Sequence, residues 1–95
     1  MLITLTNCII TAYVSTGNLD ASGSIPVLNS TIATARRELP LGAIVVWKGK
    51  KYKMTDHMNK RFNGNNRFDL FFGTNLKRAK EFGIKTNQIV IIVTP

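Results

Sequence analysis

Asp56 and Asp69 are two of only five acidic residues in a chain of 95, and their surroundings differ. Asp56 opens the polar run "DHMNKRFNGNN", whereas Asp69 sits inside "RFDLFF". A carboxyl held beside apolar groups loses hydration. That loss disfavours its charged form and moves its pKa toward that of a usable proton donor. A carboxyl in a polar loop stays ionised and can orient a substrate or stabilise positive charge. Two acids in unlike environments are what acid/base chemistry needs. The same residues also read as salt-bridge partners of Lys60, Arg61 and Arg67 or, for Asp56, as a turn former.

Other residues add options. His57 adjoins Asp56 and is the chain's one histidine, and a lone imidazole makes no metal site. No Ser-His-Asp order, glycine-rich phosphate loop or zinc spacing occurs, so neither metal nor cofactor is expected. The asparagines after Asp56, Asn59 among them, offer amides suited to sugar hydroxyls. Tyr13 and Trp47 offer flat faces suited to a pyranose ring, although a Trp in "IVVW" reads equally as core packing. Lys48, Lys50, Lys51 and Lys53 cluster around a hairpin tip, either as a solvated face or as an anion-attracting rim.

These residues need elements to hold them. "ITLTNCIITAYV" is rich in β-branched residues and alternates imperfectly, as a half-buried strand does. "STGNLDASGS" collects turn formers and reads as a loop, and "STIAT" as a short strand. "AIVVW" and "KYKMTD" read as two strands joined through "KGKK". In "RFDLFF", alternation puts Phe68 and Leu70 on one face and Asp69 with Phe71 on the other. Thr74 is positioned to cap a helix over "NLKRAKEF", which Gly83 ends. "QIVIIV" reads as a fully buried last strand. The expected fold is mainly β: a small six-stranded barrel or sandwich with one short helix near residues 75–82.

Size and charge bound the rest. Ninety-five residues, 1–95, make one domain. A chain this short buries only about 60–65% of its unfolded surface, and closing a sheet on itself removes exposed edges economically. Thirteen basic against five acidic residues give +8, which favours polyanionic partners. No basic stripe interleaved with aromatics points to nucleic acid. The single Cys8 excludes an intramolecular disulfide and, beside Ile9 and Ile10, reads as a buried thiol. The N-terminal stretch lacks the basic start of a signal peptide and is too short and interrupted for a membrane span.

Taken in order, "TAY", "ASG", "LPLG", "TD", "GNNRFDLFF", "AKEFG" and a final Ile/Val strand resemble the 3D domain. That domain is a small double-psi β-barrel related to membrane-bound lytic transglycosylase A, rare lipoprotein A and the expansins. The resemblance spans roughly residues 11 to 93. It implies a barrel with psi-shaped crossovers, a groove for a peptidoglycan glycan strand, and lytic cleavage between N-acetylmuramic acid and N-acetylglucosamine. Residue by residue, the family's second and third aspartates fall on Asp56 and Asp69, and its threonine and tyrosine on Thr11 and Tyr13.

The resemblance implies Asp69 as the acid/base and Asp56 as its catalytic partner, with Thr11 and Tyr13 along the substrate; Asp20, His57 and Asn59 are further candidates for substrate binding. The chain departs from the pattern where the first aspartate is expected, since Ala35 and Arg36 stand there. His57, Met58 and Asn59 replace a glycine pair in a longer loop. The missing aspartate supports an alternative, a non-catalytic glycan-binding or virion-assembly module on the same barrel. A family normally exported, met here without a visible signal, suggests a phage-encoded protein. It would reach the wall from the host cytoplasm at lysis or as part of a virion, with other virion proteins as partners.

Overall fold

The computed structural model describes residues 1–15, 17, 22–28, 30–36, 38–58 and 65–94. Six strands, Leu2–Tyr13 (β1), Thr31–Thr34 (β2), Ile44–Trp47 (β3), Lys50–His57 (β4), Arg67–Phe71 (β5) and Lys85–Val93 (β6), close into a barrel in the order β1-β5-β2-β4-β3-β6. One helix, Leu76–Phe82 (α1), lies between β5 and β6. Of the barrel and the sandwich that its patterning allows, the chain forms the barrel, with one helix. Two pairs, β1 with β5 and β2 with β4, run parallel, and the others antiparallel. Parallel neighbours cannot be joined by a tight hairpin, so the chain crosses over between them. Ile10, Ile32, Met54, Phe68, Val90 and Ile92 fill the interior, each fully buried. Cys8 joins them as the expected core thiol, and burial raises its pKa.

The imperfect alternation of β1 has a local cause. Asn7 adopts φ +52°, a left-handed conformation that asparagine tolerates, and the pairing with β6 shifts register between Leu5 and Cys8. Before the irregularity Ile3 and Leu5 pack against the core; after it Cys8 and Ile10 do. The inward set thus changes from odd to even positions. Thr11 and Tyr13 are thereby turned outward, which an uninterrupted strand would not do.

β3 and β4 meet in a two-residue hairpin at Lys48 (φ +50°) and Gly49 (φ +75°), with Trp47 opposite Lys50. Both central residues need positive φ in such a turn, which the glycine supplies without strain. At α1 the cap differs from the expected Thr74. Asn75 accepts from the Arg78 backbone N–H at 3.0 Å, one residue further on, and Gly83 ends the helix as predicted.

β6 also departs from expectation, because it is not buried on both faces. Val90 and Ile92 are fully buried, whereas Ile89 and Ile91 are 59% and 37% exposed. Its neighbours β1 and β3 are antiparallel strands of the same closed wall, so one face meets the core and the other meets solvent. Ile92→Ala should therefore cost about 2–5 kcal/mol in urea unfolding. Ile91→Ala should cost no more than about 1 kcal/mol. Equal losses would contradict this assignment of faces.

Candidate active site

Four residues form one row across four adjacent strands. Thr11 of β1 is opposite Asp69 of β5, Asp69 is opposite Ala33 of β2, and Ala33 is opposite Asp56 of β4. Directly opposed residues share a face. Phe68 and Leu70, which flank Asp69, point into the core, so this row lies on the outside of the barrel. Asp69 and Asp56 are separated by one strand, or roughly 9–10 Å between Cα positions. On β2 the residue between them is Ala33, whose side chain is a single methyl group.

Asp56 reaches this row through an irregularity. Ile32 pairs with Met54, yet Ala33 pairs with Asp56, so Thr55 is the extra residue of a bulge. Met54 points into the core, and simple alternation would send Asp56 there too. The bulge re-aims it outward.

Hydrogen bonds hold the acids in place. The Thr11 hydroxyl donates to Asp69 Oδ1 at 2.6 Å. The Tyr13 hydroxyl donates to Asp56 Oδ2 at 3.4 Å, and the His57 backbone N–H donates to Asp56 Oδ1 at 2.9 Å. To reach from β1 toward β4, Tyr13 packs against a small cluster of Ala33, Ala35 and Met58. Alanines at 33 and 35 leave room for that ring to cross β2. Phe71 supports it from the side, with ring centroids 5.2 Å apart.

Burial pushes the Asp69 carboxyl above its ordinary value. The Thr11 hydroxyl and the Arg67 charge oppose the rise, while the Asp56 charge adds to it. One carboxyl is therefore biased toward its protonated form, with a second on the same face. A shallow hollow of about 290 Å³ continues from Thr11 and Tyr13 toward α1, walled by Leu76, Ala79 and Ile84. Among the described residues, no three His, Cys, Asp or Glu side chains group to hold a metal ion.

Asp69, Asp56, Thr11 and Tyr13 are thus brought together. His57 contributes its backbone N–H, but in register it opposes the fully buried Thr34, so alternation turns its ring away from the carboxylates. Its Nε2 is buried without a hydrogen-bond partner among the described residues. Asp20 and Asn59 lie outside the described residues. Trp47 does not join Tyr13 in a platform. It is 6% exposed, packs on Tyr52 and Phe82, and donates from Nε1 to Gln88 Oε1 at 3.0 Å.

Where the family resemblance expects its first aspartate, Ala35 is buried and donates its N–H to the Arg67 carbonyl. Arg36 donates to Asn66 Oδ1 at 2.6 Å and pairs with Glu38 at 2.8 Å. Sequence reasoning missed Ala33, Ala35 and Met58, although the small residues of "TIATA" were a visible sign of a crossing side chain. No protein-family model, curated protein or solved structure matches this chain. Among the described residues, no helix is long and apolar enough to cross a membrane.

Two measurements check this electrostatic arrangement. Thr11→Val removes a hydrogen bond that favours the charged form, so a carboxyl-carbon NMR titration should show the Asp69 pKa rising further. No change would mean that the hydroxyl does not act on this acid. A raised folded pKa contributes stability that is present below the ordinary value of 3.8 and is lost as pH rises through the folded value. Asp69→Asn escapes that loss. Its Tm relative to the unaltered protein should therefore be higher at pH 7 than at pH 3, with the gap closing as pH falls.

Proposed function

We propose that the protein is a lytic transglycosylase of peptidoglycan, with Asp69 as its acid/base. The observation that carries this reading is the carboxyl of Asp69, driven toward its protonated form by burial on an outer face that it shares with Asp56. The two parallel strand pairs and closed order of the barrel also fit the double-psi architecture that the 3D-domain resemblance implies.

In the proposed reaction, the Asp69 carboxylic acid gives its proton to the glycosidic oxygen between N-acetylmuramic acid and N-acetylglucosamine, and the bond from that oxygen to the anomeric carbon breaks. Asp69, now a carboxylate, takes the proton from the muramic 6-hydroxyl as that oxygen bonds to the anomeric carbon. A 1,6-anhydro ring results, and the acid is regenerated. The nucleophile belongs to the substrate, so no second carboxylate must activate water. Asp56, held by Tyr13 and the His57 N–H, stabilises the oxocarbenium-like charge. The +8 net charge favours retention on an anionic wall.

A second reading has a specific observation behind it. With Ala35 buried and Arg36 engaged by Asn66 and Glu38, the family's first aspartate has no substitute at that turn. A module that binds glycan, or assembles into a virion, needs no such acid.

Incubation with purified sacculi, followed by mass spectrometry of the soluble fraction, separates the two. The unaltered protein should release anhydro-muropeptides. Asp69→Asn should release at least about 100-fold less, the scale of a lost general acid, while still pelleting with sacculi. Pelleting without product from the unaltered protein would establish the binding module instead. Equal product from both proteins would remove Asp69 from the mechanism.

A further inference from the structure

A cavity of about 420 Å³ contains neither Asp56 nor Asp69. It opens where the β3–β4 hairpin, the end of β5 and α1 meet. Trp47, Tyr52, Phe72 and Phe82 wall it. Their rings touch in series: Trp47 and Tyr52 at 6.5 Å between centroids, Trp47 and Phe82 at 6.0 Å, Phe72 and Phe82 at 5.2 Å. The bond from Trp47 Nε1 to Gln88 fixes the indole, so the wall is preformed.

The rim has one sign of charge. Lys48, Lys50 and Arg78 stand around the opening, and no carboxylate lines it among the described residues. Nor does any of the three form an ion pair among those residues, where Arg36 with Glu38 is the pair seen. Lys48 Nζ lies 5.2 Å from the Trp47 ring centre, which puts a cation directly over the aromatic wall. A volume of this size falls in the range of small-molecule sites, which are mostly apolar with a few convergent polar groups. Three cations with no counter-ion among the described residues, beside apolar walls, complement an amphipathic anion: the anionic head makes charge-assisted bonds at the rim while the body fills the aromatic interior.

We propose that this cavity is a binding site, separate from the carboxylate face, for a small organic anion with a carboxylate, sulfonate or phosphate head on an apolar or aromatic body. Anilinonaphthalene sulfonate is the probe. Titrated against the folded protein, it should bind saturably at one per chain with enhanced fluorescence and shift the Trp47 indole N–H resonance. Decanoate should displace it, and decanol should do so at least about tenfold less well. Lys50 and Arg78 are exposed, so the double variant Lys50→Glu, Arg78→Glu keeps the core intact. It should bind the probe at least about tenfold more weakly. Lys50→Arg with Arg78→Lys should retain binding.

Three results would overturn the proposal. One is no saturable binding up to about 1 mM probe. Another is equal affinity in the charge-reversed variant. The third is a dimer in sedimentation that dissociates in that variant, which would make a second copy of the chain the occupant.

Discussion

β2 has four residues, all buried, and it hydrogen-bonds to β5 on one side and β4 on the other. Each carboxylate of the outer row belongs to one of those neighbours, and Ala33 is the position that both oppose. The relation between Asp69 and Asp56 therefore depends on how this one short strand is held. A strand with no exposed face has little freedom to slide, because a slip of one residue would turn Ile32 outward and Ala33 inward. The buried Ile32, the two ladders and the alanine gap thus act as a single constraint. A larger residue at 33 would stand between the carboxylates and under the Tyr13 ring.

Two irregularities then decide which residues the constraint brings together. The left-handed Asn7 re-phases β1 so that Thr11 and Tyr13 face outward, and the extra Thr55 does the same for Asp56. Neither adds to the core. Both interrupt a ladder's register, and both deliver a polar side chain to the same outer face. β-bulges are common where a side chain must be re-aimed beside a functional site. Their coincidence on one row is the strongest structural argument that this face has a purpose.

The barrel divides its aromatic residues between two tasks. Tyr13 and Phe71 lie with the carboxylates, while Trp47, Tyr52, Phe72 and Phe82 form the walls of the cationic cavity. Lys48, Lys50 and Arg78 stand at the rim of that cavity, and Arg67 is the basic residue whose charge acts on Asp69. The rim of the cavity is cationic, whereas the outer row carries two carboxyls.

Much of this was legible in the residues alone. Alternation in "RFDLFF" sets Asp69 against Phe68 and Leu70 because successive side chains of any strand point to opposite faces. The Lys48–Gly49 turn, the Gly83 stop and the buried Cys8 follow from equally local rules. Local rules fail where two neighbours compete or a ladder skips. Thr74 and Asn75 are both good caps, and only the position of the first helical turn selects Asn75. Asp56 reads as the opening of a polar loop until β2 pairs with β4 and makes Thr55 the extra residue of a bulge. The wall of Trp47, Phe72 and Phe82 joins residues up to 35 positions apart, which no periodicity encodes. The sequence by itself determined which residues can be inside or outside each element, because that depends on bonds between neighbours. Which outward residues meet, and which acid is dry, was decided by strand order and register, because burial and Coulombic interaction depend on distance in space.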